Sequence, residues 1–254
     1  MAVVIPNFPI VNLGNSYVNG FALTWLTNTT MFLGQGQARN STDNNDILLN
    51  GNGATINVAV QGVNGIDQGT IAASTFYYVY AIGDSTAMDA TSPGYVPTAG
   101  LISLSATNPA LPGNYDMFRR IGTILTSGAG AILAFRQLRA QAYRKMWYDT
   151  AISVLAATAA AAFTAQSLAV AVPPIATEVG FRADLFPNAA ADFVELRPTG
   201  SASAAGYVKM SGDVAAVHHF DTISCPCNAT PSIDWLTDAV STVQLSVEWY
   251  LDPI

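Results

Sequence analysis

A pair of histidines followed by an aspartate and a serine comes closest to a catalytic set in this sequence. His218 and His219 precede Asp221, and Ser224 follows. An imidazole that takes the proton of a serine hydroxyl, and is itself oriented by a carboxylate, is the chemistry of a hydrolytic relay. No Gly-x-Ser-x-Gly turn presents the serine as a nucleophile. The pattern therefore favours an ordinary strand with one packed and one exposed histidine.

The two cysteines, Cys225 and Cys227, are the candidates for disulfide or metal chemistry. Residues two apart in a strand lie about 6.5–7 Å apart at Cα, which is the limit that a disulfide spans. A zinc site needs more ligands, and in an extended chain at most one of the two neighbouring histidines could join the thiols. The sequence predicts two reduced, half-buried thiols.

Two polar turns resemble ligand-binding loops without completing them. Residues 34–36 (Gly-Gln-Gly) lack the third glycine of a dinucleotide-binding turn, and we interpret them as a simple turn. Residues 43–46 (Asp-Asn-Asn-Asp) lack the glycine and distal glutamate of a calcium loop, which favours a turn whose side chains bind its own backbone. The sequence predicts no catalytic, cofactor-binding or metal-binding residue, no cofactor and no enzymatic activity.

The low charge predicts an assembled protein. Of the 254 residues, 50% are hydrophobic and 11% are charged, whereas a solitary domain usually carries about 25–35% charged residues on its surface. Neighbouring subunits are expected to cover part of this surface, as in a homo-oligomer. The net charge of −7 argues against a nucleic-acid partner, and we assign the basic residues between Arg119 and Lys145 to a subunit or domain junction.

Export and membrane insertion are not predicted. Residues 1–6 carry neither a basic leader nor a cleavable apolar segment. Residues 151–172 are dominated by alanine and include serine, threonine and glutamine, which makes a poor membrane span. We interpret this segment as core or interface.

Short apolar runs between turns predict an all-β fold. Residues 75–82 are apolar on both faces and are expected to form a central strand, and residues 243–251 alternate with the period of two of a half-buried strand. A turn at residues 127–130 is expected to close a hairpin. The further predicted strands are residues 21–26, 30–34, 47–49, 55–60, 100–105, 118–126, 131–136, 169–174, 178–185, 193–197, 206–210 and 214–220.

The predicted organisation is an extended arm followed by two β-sandwich or jelly-roll-like domains. Pro6 and Pro9 interrupt the arm, residues 1–20. The domains are residues 21–140 and 141–254. Residues 151–166 have helical propensity, but the surrounding pattern favours strand, and a helix is the alternative. Residues 3–18 and the alanine-rich run after Tyr148 are the predicted oligomerisation segments.

Aromatic side chains are candidates for binding a sugar or a protein partner, although most aromatic residues in strands are core or interface. The candidates are Trp25, Tyr77, Tyr78, Tyr80, Tyr95, Tyr115, Trp147, Tyr148, Trp235, Trp249 and Tyr250.

Three linked segments resemble a module of bacteriophage virion proteins of the tail-fibre or minor structural type. They are GQGQARNSTDNNDILL at residues 34–49, NGIDQGTIAASTFYYVYAIGD at residues 64–84, and GLISLSATNPALPGNYDMFRRIGTILTSGAGAILAFRQ at residues 100–137. The resemblance covers about residues 20–140. The sequence departs from it in a longer loop at residues 84–98, and in Ile66 and Gln68 where leucine and threonine are commoner.

The resemblance implies a non-enzymatic virion structural protein, assembled in the host cytoplasm. It implies an oligomeric tail-fibre or appendage component, expected as a homotrimer in contact with other virion proteins. The loop at residues 84–98 is expected to supply contacts, including to a host surface glycan or receptor. A capsid decoration (cement) or head-fibre protein and a carbohydrate-binding or receptor-binding module are the alternatives.

Overall fold

The chain folds as an all-β protein. The computed structural model describes residues 17–51, 53–86, 97–140, 143–203 and 206–254, and these residues form seventeen strands and no helix. The strands are β1 (Val18–Gly20), β2 (Leu23–Trp25), β3 (Thr30–Leu33), β4 (Gly36–Arg39), β5 (Asp46–Leu49), β6 (Ala54–Asn57), β7 (Gly65–Ile66), β8 (Phe76–Gly83), β9 (Ala99–Ser103), β10 (Met117–Leu125), β11 (Phe135–Ala140), β12 (Tyr143–Ser167), β13 (Glu178–Phe186), β14 (Phe193–Pro198), β15 (Val208–Ser211), β16 (His219–Pro226) and β17 (Ser232–Pro253).

The strands form three sheets. A small sheet has the order β1-β4-β5, and a second has the order β10-β8-β9-β7. The largest follows the order β15-β14-β17-β12-β11-β2-β3-β6, with β13 beside β17 and β16 beside β13. All pairings between these strands are antiparallel except that of β7 with β9. Because β11 pairs with both β2 and β12, the largest sheet contains strands from both halves of the chain.

The core lies between the sheets and also joins the two halves. One cluster of buried side chains includes Phe21, Tyr77, Phe181 and Val247. A smaller cluster on the other face of β8 contains Tyr78 and other residues. The division into domains at residues 140 and 141 stays a prediction.

Two strongly patterned strands confirm their predictions. β8 lies between β9 and β10, and seven of its eight residues are buried, so it is central and covered on both faces. In β17, Val243, Leu245 and Val247 are fully buried, whereas the residues between them are exposed or half-buried. The period of two therefore predicted the core-facing side of residues 243–247. A bulge at Glu248 then breaks the predicted alternation, so Tyr250 lies in the core and Trp249 lies on the opposite face.

The alanine-rich segment is a strand, not a helix. β12 has 25 residues and pairs antiparallel with β17 along most of its length. Helix propensity is a weak preference that tertiary pairing can override. Here β17 supplies the backbone hydrogen-bond partners that a helix would otherwise have supplied internally.

Several strand predictions were wrong. Residues 169–174 form turns, residues 214–218 form a loop before β16, and Gly36 begins strand β4 instead of completing a turn. The predicted hairpin is reduced to the turn at residues 127–130 and one bridge between Thr126 and Ile132. β11 then leaves β10 and pairs with β12.

Parts of two predicted contact segments lie outside the described residues. These parts are residues 1–16 of the arm and residues 87–96 of the loop. Of the predicted arm, Val18–Gly20 forms β1 and pairs with β4.

No helix long and apolar enough to cross a membrane occurs among the described residues.

Candidate functional site

The residues of the predicted hydrolytic relay do not come together. His218 Nδ1 lies 2.9 Å from Asp184 Oδ1, whereas Asp221 accepts a hydrogen bond from its neighbour Thr222. Ser224 lies opposite Gly180 in the pairing of β16 with β13, four residue pairs from Asp184. The His218 ring packs between two phenylalanine rings, Phe186 and Phe220. His218 and Asp184 therefore form a hydrogen-bonded pair in which neither Asp221 nor Ser224 takes part.

The two cysteines are free thiols in different environments. Cys225 is fully buried on β16, and Cys227 is half-buried, with its Sγ donating to the carbonyl oxygen of Ala176 at 3.3 Å. Burial raises the pKa of Cys225 to about 12 and that of Cys227 to about 11. No group of three potential metal ligands occurs in the part of the chain that the structure describes.

The raised pKa values predict slow thiol chemistry in the folded protein. The thiolate is the reactive form, so at neutral pH Cys225 and Cys227 are expected to resist iodoacetamide and to react within minutes after unfolding in urea. Mass spectrometry of alkylated protein before and after unfolding measures this. Rapid alkylation of Cys225 in the native protein would contradict its burial.

The polar turn before β5 is organised by one asparagine. The side-chain oxygen of Asn40 accepts hydrogen bonds from the backbone nitrogens of Asn44 and Asn45, at 3.1 and 3.3 Å. The Asn40 amide nitrogen donates to the side chain of Asn44 at 2.7 Å. A side chain therefore satisfies the backbone of the turn, but it is that of Asn40 and not one of the predicted residues 43–46.

A buried polar cluster, which we call the Asp252 cluster, links the second sheet to the largest one. The Asp252 carboxylate on β17 has no exposed surface and accepts hydrogen bonds from Arg120 Nη1 at 2.6 Å and Thr123 Oγ1 at 2.8 Å, both on β10. Arg120 also donates to the carbonyl oxygen of Pro253. Arg144 Nη2 donates to the carbonyl oxygen of Gly20 at 2.8 Å. Arg120 and Arg144 thus link strands that are far apart in the sequence, while the assignment of the basic residues to a subunit or domain junction stays a prediction.

The outer face of the largest sheet carries a cluster of two tryptophans and a lysine, which we call the aromatic face. Trp147 on β12 and Trp249 on β17 are direct cross-strand partners, with ring centroids 6.5 Å apart and planes inclined by 26°. The Lys145 ammonium lies 3.6 Å from the Trp249 ring centroid and 5.0 Å from that of Trp147. Gly180 on β13 lies beneath the Trp249 ring, because only a residue without a Cβ leaves room for it.

Two opposing effects act on the pKa of Lys145. Burial lowers the pKa of its ammonium, and the carboxylates of Glu178 and Glu248 offset part of that change. The faces of the two indole rings also favour the charged form. The Lys145 ammonium lies over both indole rings of the aromatic face.

A shallow groove of about 410 Å³ adjoins the aromatic face. Trp147, Leu138 and the ion pair of Arg136 with Asp149 line it, and Arg136 Nε lies 3.2 Å from Asp149 Oδ1. Both members of this ion pair are well exposed. An indole edge beside hydrogen-bonding charges gives an amphipathic surface of the kind that binds partly polar ligands.

Most of the predicted aromatic candidates are core residues. Tyr77, Tyr78, Tyr80, Tyr115, Tyr148, Trp235, Trp249 and Tyr250 are buried, Trp25 and Trp147 are half-buried, and Tyr95 lies outside the described residues. The sequence reasoning did not single out the exposed aromatics Tyr143, Tyr207 and Phe220, or the role of Asp184. Asp184 is 34 residues from His218, so no local pattern could have paired them.

The comparisons with known proteins identify no relative. No protein-family model matches the chain, and no curated protein matches it significantly. The class that the fold defines is an all-β protein with a long central antiparallel sheet. Its function has to be inferred from its own surfaces.

Proposed function

We propose that this chain is a non-enzymatic structural protein of a bacteriophage virion, assembled as a homo-oligomer in a tail fibre or appendage. The observation that carries the proposal is the surface, which combines few charges with large exposed apolar side chains. These are Leu26, Leu48, Val60, Val63, Leu104, Leu138, Tyr143, Val170, Tyr207, Val214, Val217 and Phe220. In a chain with 11% charged residues, such a surface suits contacts with other protein subunits.

The architecture supports a mechanical role. One sheet runs through strands of both halves, and the Asp252 cluster fixes a second sheet to it. We propose that the two halves act as sandwich-like or jelly-roll-like units of one rigid wall. The resemblance of residues 20–140 to virion proteins points to the same role.

Immunolabelling of purified phage particles tests the proposal. Antibody raised against the chain should label the tail or its fibres in negative-stain images. Label spread over the head would instead favour a capsid decoration or head-fibre protein. Intact particles without label would remove the chain from the virion surface and overturn the proposal.

The assembly itself is tested by native mass measurement. We propose a multimer, with the trimer that the resemblance implies as the basic unit. A stable monomer at micromolar concentration would contradict the homo-oligomer.

The aromatic face favours a second candidate, a carbohydrate-binding or receptor-binding module. If the groove binds host polysaccharide, Trp147→Ala should weaken binding at least about tenfold, since an aromatic anchor in a binding site is commonly worth more than about 1.4 kcal/mol. Tyr207→Ala is the control, because Tyr207 is 70% exposed but does not line the groove. Titration of purified host polysaccharide in a calorimeter measures both variants. Equal loss in both, or no binding by the wild type, would exclude the groove as this site.

A further inference from the structure

Strand β12 has an open edge along most of its length. Residues Tyr143 to Tyr148 pair with β11 on one side and with β17 on the other. After Asp149, whose backbone nitrogen donates to Ala134, the strand pairs only with β17 among the described strands. Within the part of the chain that the structure describes, residues 150–167 therefore present one edge with no strand beside it. Strands are usually 3–10 residues long, and β12 has 25.

This edge lacks two of the usual protections against pairing. Proteins commonly place charged residues or proline on exposed edge strands to prevent contact with another chain. No charged residue occurs between Asp149 and Glu178, and the first proline after Asp149 is Pro173. In a chain of net charge −7, the open edge is thus a place where two copies can approach without charge repulsion.

Bulges limit the pairing to one part of the edge. Shifts of register occur before Ile152 and on both sides of Ala160, and Ala159 has a positive φ of 57°. Between these irregularities, residues 152–158 pair with β17 with a single bulge, after Ser153. This stretch is the part of the edge best suited to a second strand.

The side chains of this stretch are small or apolar. Ser153, Ala156 and Thr158 are exposed, and Ile152 and Val154 are half-buried against the core. Small side chains allow close approach of another sheet edge.

We propose that residues 152–158 of β12 pair antiparallel with the same residues of a second copy of this chain. The inference rests on the proposed function only in requiring a homo-oligomer. Two identical strand edges are complementary when they run antiparallel about a two-fold axis. Seven paired residues provide about seven backbone hydrogen bonds, within the range of about 10 ± 5 for a stable interface.

A second β12 suits the edge better than the N-terminal segment of the chain. Pro6 and Pro9 interrupt residues 1–16, and proline cannot donate to the ladder of a sheet. The proline-free run that follows them, residues 10–16, contains Gly14, and a glycine inside a strand weakens it. β12 itself supplies an uninterrupted partner.

The two-fold contact predicts an even number of copies. A dimer results if β12 makes the only contact between copies. If the trimer proposed above also forms, the contact joins two trimers into a hexamer.

Native mass spectrometry of the full chain and two variants tests the contact. Ala156→Lys places like charges on both strands near the two-fold axis, which disfavours cross-strand pairing. The mass is expected to fall by half, from dimer to monomer or from hexamer to trimer. Thr55→Lys is the matched control, because Thr55 is an exposed residue of β6, another edge strand of the same sheet. It should leave the mass unchanged.

Hydrogen exchange gives a second readout that does not depend on the variants. In the wild type, those amides of residues 152–158 that point away from β17 should be protected at high protein concentration and exchange at least about tenfold faster after dilution to half the native mass. Circular dichroism checks that Ala156→Lys retains its strands.

The outcomes separate this inference from the proposed function. A wild-type trimer, or an Ala156→Lys variant that is folded and keeps the full mass, would overturn the β12 contact and leave the homo-oligomer standing. A wild-type monomer would overturn both. An even-numbered wild type that Ala156→Lys halves, with Thr55→Lys unchanged, supports the contact.

Discussion

Replacing Asp252 with asparagine is expected to lower the free energy of unfolding by about 3 kcal/mol or more. Asp252 has no exposed surface, and its partner Arg120 has a side chain that is 18% exposed. The asparagine cannot balance the charge of the guanidinium, which stays buried with the carbonyl oxygen of Pro253 and no carboxylate. A loss of this size is a large share of the stability of a typical domain. Urea denaturation followed by circular dichroism measures it.

Asp149→Asn is the matched control for this substitution. Asp149 also pairs with an arginine, Arg136, at 3.2 Å, but both side chains are well exposed. Exposed ion pairs contribute about 0–1 kcal/mol, so this variant should unfold close to the wild-type urea midpoint. Equal losses of unfolding free energy in the two variants would mean that burial does not make the pair of Asp252 with Arg120 contribute more to stability than the exposed pair of Asp149 with Arg136.

The sequence predicted the fold class and the strands whose pattern is strongest. β8 is apolar on both faces and β17 alternates, so burial alone specifies how each lies in its sheet. Val214 and Val217 are apolar but exposed in a loop. The apolar composition of residues 214–218 suggested a strand, but pairing with β13 begins only at His219.

The choice of partner strand could not be predicted from local pattern. The turn at residues 127–130 has the glycines of a hairpin, and the backbone nitrogen of Ser127 does bond to Ala131. The chain nevertheless continues into β11 beside β12, since Phe135 pairs with Tyr148. A turn specifies a reversal of the chain, but the long-range pairing depends on which edges the rest of the fold leaves open.

The neighbours of each residue on the candidate surfaces could not be predicted from local pattern either. The alternation in β17 predicted that Trp249 lies on the same face as Val247, but the bulge at Glu248 turns it to the other face. Nothing in the sequence places Trp249 opposite Trp147 or over Gly180. These neighbours come from three different strands. The sequence shows that no charged residue follows Asp149 before Glu178. It does not show that this segment is an open strand edge, because that depends on the pairing of β12 with β17.

Replacing Gly180 with alanine is expected to displace the Trp249 ring and to cost about 1–3 kcal/mol of stability, as overpacking of a tight site does. A Cβ at Gly180 would lie 2.0 Å from Cε2 and 2.2 Å from Nε1 of Trp249, closer than any non-bonded contact allows. Trp249 is only 8% exposed, and Lys145 and Trp147 restrict it on the outer side. The ring can therefore move only by breaking the aromatic face. Urea denaturation measures the stability, and tryptophan fluorescence reports the changed surroundings of the ring.

Gly113→Ala separates this steric effect from the general cost of replacing a glycine. A Cβ at Gly113 would have no atom within 4 Å, and the backbone there does not need a positive φ. That variant should change the stability by less than about 0.5 kcal/mol and leave the fluorescence unaltered. If Gly180→Ala behaved in the same way, the Trp249 ring would have room to shift, and the aromatic face would not be a rigid surface. A loss confined to Gly180→Ala would mean that the glycine of β13 holds both tryptophans and Lys145 in place, and that any ligand or subunit contacting this face meets a preformed surface.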